Sequence, residues 1–92
     1  MSYEVKISPE AQKHILLHLH SGQKQVLKKM DVLLSEIAEH PRTGTGKPEQ
    51  LRYRDGECWS RRIDGKHRLV YEIVEERLTV VAISALGHYG DK

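Results

Sequence analysis

The stretch WSRRIDGKHRLVY, Trp59 to Tyr71, predicts a β-hairpin, with a turn signal at Asp64-Gly65 between two runs that contain strand-forming residues. It also holds an unusual density of cations for a hairpin. The cationic side chains, counting a protonated histidine, are Arg61, Arg62, Lys66, His67 and Arg68. A hairpin that gathers so many cations needs acidic neighbours or an anionic partner.

The hairpin allows two registers. A two-residue turn pairs Ile63 with Lys66 and mixes cations with apolar side chains on one face. A three-residue loop pairs Ile63 with His67 instead, and it places Arg62 directly opposite Arg68. In that register one face collects the apolar residues Trp59, Ile63, Leu69 and Tyr71. A slip of one residue exchanges whole faces, so burial favours the second register. The opposed arginines repel unless a phosphate, a carboxylate or a neighbouring acid separates them.

Along the whole chain, local patterns predict two helices and five strands, two of which form the hairpin. Alternation over residues 3–7 predicts a strand, and Ser8-Pro9-Glu10 has the composition of a helix start. The first helix should reach about His20. Apolar residues recur at helical spacing between positions 26 and 37, and this second helix should end at His40-Pro41. The remaining strands are predicted at residues 50–54, 57–63, 67–74 and 78–85.

This order, β-α-α-β-β-β-β, predicts an α+β fold. Consecutive strands joined by tight turns form an antiparallel sheet, and the helix pair must cover one of its faces. The opposite face is then open for chemistry. A chain of 92 residues is expected to be one domain, spanning positions 1–92.

The amino-acid composition favours a globular domain over a disordered or membrane protein. With 38% apolar and 30% charged residues, the chain has the balance of a globular domain. It holds no apolar run long enough to cross a membrane. The single cysteine, Cys58, excludes an internal disulfide and fits a reducing cytoplasm, where we expect the protein to act. Net charge is only +2, yet five of the seven arginines lie between Arg52 and Arg68, which is a plausible footprint for phosphates. A solvated strand face is the plainer alternative.

Three kinds of side chain near this basic stretch would together supply the parts for RNA cleavage. Glu49 can take the proton from a ribose 2′-hydroxyl, and an arginine can stabilise a charged phosphorane. His88, beside Tyr89 near the C-terminus, can protonate a leaving 5′-oxygen at neutral pH. Taken singly, each of these residues is more often an ordinary surface residue. No metal or other cofactor is required, and the one helical histidine pair, His14 and His18, lacks an evident third zinc ligand.

The segments GKPEQLR, WSRRI, HRLVY and a final HY resemble, in order and spacing, the Txe/YoeB branch of the RelE toxin superfamily. The resemblance implies the toxin of a type II toxin–antitoxin system, a ribosome-dependent endoribonuclease that cuts mRNA in the A site without a metal. It also implies the ribosome and mRNA as partners, together with a cognate antitoxin similar to YefM or Axe. Operator DNA would be contacted only through the antitoxin complex, and YoeB-like members often form homodimers.

The resemblance assigns roles to individual residues. It makes Glu49 the general base, Arg68 the transition-state cation and His88 the general acid, with Tyr89 orienting the base or the phosphate. The RNA-binding residues that it suggests are Arg52, Arg62, Lys47, Arg61 and Tyr53. Arg52 stands where the family commonly has lysine, and Tyr53 where some relatives have histidine. Trp59 belongs to the apolar face and is expected in the core.

Two departures from the family pattern affect the C-terminus. Gly90-Asp91-Lys92 follow the His-Tyr pair, where many relatives end, and Leu86-Gly87 precede it, where relatives often carry bulkier or charged residues. Two other classes of function remain open. One is a non-nuclease toxin of the same fold, like the ParE toxins that act on DNA gyrase. The other is a non-catalytic module that binds RNA or an antitoxin.

Overall fold

The computed structural model describes residues 2–52 and 54–87 of the chain. Tyr53, His88, Tyr89 and the final segment 90–92 lie outside these residues, so the predictions made for them are not addressed by the fold. The elements in chain order are β1 Glu4–Ile7, α1 Pro9–His20, α2 Lys24–Glu39, β2 Glu49–Leu51, β3 Glu57–Arg62, β4 Arg68–Val74, a 3₁₀ turn Glu75–Arg77 and β5 Thr79–Ser84.

The helix boundaries follow from local chemistry. Ser8 is the N-cap of α1, and its hydroxyl accepts a hydrogen bond from the amide of Ala11 at 3.1 Å. Pro9 occupies the first helical position, where no intrahelical donor is needed. α2 ends at Glu39, one residue before His40-Pro41, because a residue that precedes proline avoids the helical conformation. Both helices therefore match the sequence prediction closely.

The five strands form one sheet in the order β1-β5-β4-β3-β2. Strands β2 to β5 make the antiparallel meander that the turn signals predicted. β1 adds to the far edge of β5 and runs parallel to it, which makes the sheet mixed. A tight turn forces neighbouring strands to be antiparallel, but β1 is separated from β5 by most of the chain and is free of that constraint. The α+β fold class is confirmed.

The central hairpin adopts the register that burial favoured. Arg62 pairs with Arg68 and Trp59 with Tyr71, and the amide of Ile63 donates to the carbonyl of His67 at 2.9 Å. Residues 64–66 therefore form a three-residue loop beyond the Ile63–His67 pair. Asp64 stabilises this loop, because its Oδ1 accepts hydrogen bonds from the amides of Lys66 and His67 at 2.8 and 2.7 Å.

The core lies between the helix pair and one face of the sheet. Its buried residues are Ala11, Val26, Met30, Leu33, Ile37, Ile63, Leu69, Tyr71, Ile73, Val80, Ala82 and Ala85, and Trp59 packs against them as predicted. Cys58 is buried on the opposite face and unpaired, and burial raises the pKa of its thiol. Within the described part of the chain, neither helix is long and apolar enough to cross a membrane.

Candidate active site

Glu49 and Arg68 meet on the sheet face that the helices leave open. Glu49 begins β2 and pairs with Ser60 of β3, while Arg68 begins β4. Nη1 of Arg68 lies 3.4 Å from Oε1 of Glu49 and donates a hydrogen bond to Oγ of Ser60 at 3.0 Å. The Arg68 side chain is 18% exposed and that of Glu49 is 67% exposed. The sheet thus holds a partly enclosed guanidinium beside a carboxylate that solvent and a substrate can reach.

Arg62 stands directly opposite Arg68 in the β3–β4 ladder and is exposed. Among residues 2–52 and 54–87, the Arg68 carboxylate partner is Glu49, and neither arginine forms an ion pair with Glu72. The neighbouring acid that partly offsets the charge of the pair is therefore Glu49, through its contact with Arg68. Two opposed guanidinium groups on an open face make a site to which an anion such as phosphate is attracted.

Lys47 and Arg52 flank Glu49 on either side. Lys47 is exposed and has a left-handed backbone, with φ of 52°, directly after Gly46. Arg52 is exposed and lies just past Leu51, the last residue of β2. In a regular strand, residues three apart point to opposite faces. Because the strand stops before Arg52, strand geometry does not force its side chain away from Glu49. Lys47 and Arg52 are therefore exposed cations on either side of Glu49 in the chain, and strand geometry does not separate Arg52 from its carboxylate.

Arg61 occupies a different place from the one predicted for it. In β3, Arg61 lies two positions from Trp59 and from Ile63 and so shares their apolar face, where its side chain is fully buried. All five N–H groups of its guanidinium are used within the protein. They donate to the hydroxyl of Tyr71, a carboxylate oxygen of Glu36 and the carbonyls of His40, Thr43 and Thr45, at 2.7–3.3 Å. The expected ribosomal RNA contact for Arg61 is wrong, because the side chain has no exposed donor to offer.

Arg61 instead organises the loop that leads to Glu49. Glu36 accepts hydrogen bonds from both the amide and the hydroxyl of Thr45, at 2.7 and 2.6 Å, while it also binds Arg61. Further along the loop, the amide of Arg62 donates to the carbonyl of Gly46 at 2.7 Å. A Cβ atom at Gly46 would lie 2.9 Å from the Arg62 carbonyl oxygen, so only glycine allows this approach. The loop is thereby tied to β3 immediately before Lys47-Pro48-Glu49.

The Glu36 contacts predict an acid-sensitive stability. Hydrogen bonds from Thr45, with the nearby charge of Arg61, hold the pKa of Glu36 below its ordinary 4.5. A lowered folded pKa adds stability above pH 4.5, and this stability is lost as the pH falls through the folded value. Urea unfolding between pH 7 and pH 3 should therefore show Glu36→Gln to be less stable than wild type at neutral pH, with a gap that narrows in acid. Glu39→Gln, on the same helix, is the control, and a pH-independent gap for Glu36→Gln would contradict this account.

The C-terminal end of the described chain reaches the backbone of Arg68. β5 ends at Ser84, and the carbonyl of Gly87 accepts a hydrogen bond from the amide of Arg68 at 3.0 Å. His88 and Tyr89 follow Gly87 in the sequence but lie outside the described residues, as does Tyr53. The structure therefore brings together two predicted catalytic residues, Glu49 and Arg68, and ends one residue before the third.

Sequence reasoning missed one residue of this site, Ser60, and assigned the wrong role to another, Arg61. Ser60 is fully buried and is the neighbour that anchors the Arg68 guanidinium. Arg61 organises the loop before Glu49. For Arg61 a signal was present, since the favoured register already placed it between two apolar residues on the core face. No comparable signal marked Ser60, because its role depends on a contact between strands.

The helical histidine pair has a structural use. Nδ1 of His14 lies 3.0 Å from the amide nitrogen of Ala85, and Nε2 of His18 lies 2.9 Å from its carbonyl oxygen. One ring nitrogen of each histidine is therefore hydrogen-bonded to the backbone of Ala85. Over residues 2–52 and 54–87, no group of three or more histidine, cysteine or acidic residues is placed to hold a metal ion.

Comparisons with known proteins identify the family of this chain. The model of the family described as "YoeB-like toxin of bacterial type II toxin-antitoxin system" matches residues 9–89. A YoeB toxin of Synechocystis sp. is 41% identical over 76 residues, which cover 83% of this chain and 86% of the relative.

Two solved structures from Staphylococcus aureus share the fold. A YoeB dimer is 31% identical with a TM-score of 0.81, and the match covers 97% of this chain and 100% of that one. A heterotetrameric YoeB–YefM toxin–antitoxin complex contains a chain that is 30% identical, with a TM-score of 0.78 and the same coverage. As its sequence motifs predicted, the chain belongs to the YoeB-like toxins of bacterial type II toxin–antitoxin systems.

Proposed function

We propose that this toxin is a ribosome-dependent endoribonuclease that cuts mRNA in the A site by metal-independent acid–base catalysis. The observation that carries the proposal is the pairing of Glu49 with Arg68 on the open face, where Nη1 and Oε1 lie 3.4 Å apart. A carboxylate that remains accessible beside a fixed guanidinium can both accept a proton and stabilise a developing anion.

The reaction transfers phosphate from the 5′-oxygen to the 2′-oxygen of the adjoining ribose. Glu49 takes the 2′-hydroxyl proton, and the 2′-oxygen attacks phosphorus to form a phosphorane whose charge Arg68 stabilises. The bond from phosphorus to the 5′-oxygen then breaks, and His88 gives its proton to that oxygen. The products are a 2′,3′-cyclic phosphate and a 5′-hydroxyl, with Tyr89 orienting the reacting groups.

Exposed cations around Glu49 and Arg68 would hold the RNA. Arg62 lies opposite Arg68, Lys47 and Arg52 flank Glu49, and the exposure of all three supports a role in contacting phosphates near the scissile bond. Tyr53 follows Arg52 and is proposed to stack on a base. Arg61 is not included, because it is buried.

The proposed partners follow from the family. The ribosome presents the mRNA in the bacterial cytoplasm, and a cognate antitoxin similar to YefM inhibits the toxin. The S. aureus YoeB forms a complex with YefM and has also been solved as a dimer, which supports an antitoxin and a homodimer for this chain. Operator DNA would be contacted only through the antitoxin complex.

A cleavage assay on mRNA-programmed ribosomes tests the proposal. Primer extension should map cuts within the A-site codon for wild type, with no cuts in the absence of ribosomes and none by the folded Arg68→Ala and His88→Ala variants. As a control for other divalent ions, EDTA is added first and magnesium is then restored to the level that the ribosome needs. Folded wild type that makes no cut would overturn the nuclease proposal and direct the search to gyrase inhibition or a purely binding role.

The phosphate role of Arg62 predicts a change in salt dependence. Each phosphate contact that is lost lowers the slope of log affinity against log salt by roughly 0.7 for a single strand. Binding of single-stranded RNA to Arg62→Ala should therefore fall less steeply with salt than binding to wild type. Arg77→Ala removes an exposed cation on the 3₁₀ turn and serves as the matched control. An Arg62→Ala slope equal to that of wild type would refute this contact.

A further inference from the structure

The short segment from Ala85 to Gly87 is held mainly by imidazole rings, although it continues a strand. The sheet ladder of β5 ends at Ser84. Beyond it, the amide and carbonyl of Ala85 contact His14 and His18, and the amide of Gly87 contacts Nδ1 of His67 at 3.0 Å. The carbonyl of Gly87 accepts from the amide of Arg68. Three of these four backbone contacts therefore come from histidine side chains.

The histidines reach the segment from two separate elements. His14 and His18 lie one turn apart on α1, and His67 lies in the loop between β3 and β4. The rings of His18 and His67 pack edge to face, with centroids 4.7 Å apart. His18 is buried and Ala85 is fully enclosed, so water cannot readily replace these bonds. The cluster thus ties the helix layer and the hairpin loop to one short stretch of backbone.

The backbone partners determine which ring nitrogen carries a proton. An amide N–H only donates, so Nδ1 of His14 and of His67 must be unprotonated acceptors. A carbonyl only accepts, so Nε2 of His18 must carry its hydrogen and donate. The charged groups beside the cluster are Glu10, 3.7 Å from Nε2 of His14, and Asp64, which binds the amide of His67. Each of these three ring nitrogens therefore has a defined role, as acceptor in His14 and His67 and as donor in His18.

We propose that His14, His18 and His67 are positioning residues that fix the backbone of Ala85 and Gly87, and with it the starting point of the segment that carries His88. The inference rests on the proposed function, in which His88 is the general acid. Gly87 is bonded to the amide of Arg68, so a displaced segment would move the acid relative to the transition-state cation. None of the three histidines needs to touch the RNA.

The task of each nitrogen predicts a reciprocal pattern of rescue. Asparagine places its carbonyl oxygen near the position of Nδ1, whereas glutamine places its amide nitrogen near the position of Nε2. Asn should therefore replace His14 and His67 better than Gln does, and Gln should replace His18 better than Asn does. If the histidines merely filled space, the order of Asn and Gln would be the same at all three positions.

The test combines amide exchange with kinetics on the full-length chain. Hydrogen exchange measured by NMR should show protected amides at Ala85 and Gly87 in wild type. His14→Ala should lose the first protection and His67→Ala the second. In single-turnover cleavage of ribosome-bound mRNA, the alanine variants should lower the maximal rate by about 10- to 100-fold, because a displacement near 1 Å can cost that much. The ribosome concentration for half-maximal rate should stay within about two-fold, since no RNA contact is removed.

Controls and outcomes separate this proposal from the nuclease proposal. His20→Ala, an exposed histidine on the same helix, should match wild type in both assays. Lost protection with a reduced rate and the reciprocal rescue supports the positioning role. Unchanged protection in the alanine variants, or lost protection with an unchanged maximal rate, overturns it. If wild type cleaves no mRNA, the nuclease proposal fails, while the exchange data still decide whether the histidines anchor the segment.

Discussion

Replacing Glu49 with glutamine should reduce A-site cleavage of mRNA by about 10²- to 10⁴-fold, the range expected for losing a general base. Glutamine keeps the shape of the side chain but cannot accept the 2′-hydroxyl proton. The stability of the fold should change little, because Glu49 is 67% exposed and its described side-chain contact is the 3.4 Å pair with Arg68. The loss should therefore appear in the rate and not in the amount of folded protein.

The experiment compares single-turnover rates on programmed ribosomes together with urea unfolding curves. Glu76→Gln, which neutralises an exposed glutamate on the 3₁₀ turn, is the matched control and should behave as wild type in both measurements. A Glu49→Gln protein that cleaves at the wild-type rate would show that the carboxylate is not the base. Such a result would favour a non-catalytic RNA-binding module, for which the charge of Glu49 is dispensable.

Replacing Arg61 with leucine should cost about 3–5 kcal/mol of unfolding free energy, because a fully buried side chain loses all five of its hydrogen bonds. The change removes five hydrogen bonds that the guanidinium donates, to the Glu36 carboxylate, the Tyr71 hydroxyl and three loop carbonyls. A small domain has roughly 5–15 kcal/mol in total, so the variant should be close to unfolding at 37 °C. Arg61→Lys should also destabilise, since an ammonium has three donors in place of five.

Urea unfolding at neutral pH measures this effect. Arg62→Leu changes the neighbouring exposed arginine and should stay within about 0.5 kcal/mol of wild type. Adding Glu36→Leu to Arg61→Leu should not restore the loss, because the Glu36 side chain is 33% exposed and its removal also breaks the hydrogen bonds from Thr45. A stability within about 1 kcal/mol of wild type for Arg61→Leu would mean that solvent reaches this network, contrary to the burial of Arg61.

Much of the fold was predictable because its determinants are local. The Ser8 cap, the apolar stripe of α2 and the turn signals act over a few residues, and they placed both helices and the strands to within a few positions. The register of the central hairpin was also predictable, because only one pairing collects the apolar side chains on one face. That register in turn placed Arg62 opposite Arg68. The family itself was readable from four short motifs.

The amino-acid sequence by itself thus determined the elements, their order, the hairpin register and the toxin family. Only the tertiary structure decided that β1 runs parallel to β5, that Arg61 is a buried organiser and that Ser60 anchors Arg68. It also decided that His14 and His18 bind the backbone of Ala85, about seventy positions away along the chain. The reason is physical: such contacts join residues whose separation in sequence carries no periodic signal, and burial that depends on several packed elements has no local signature.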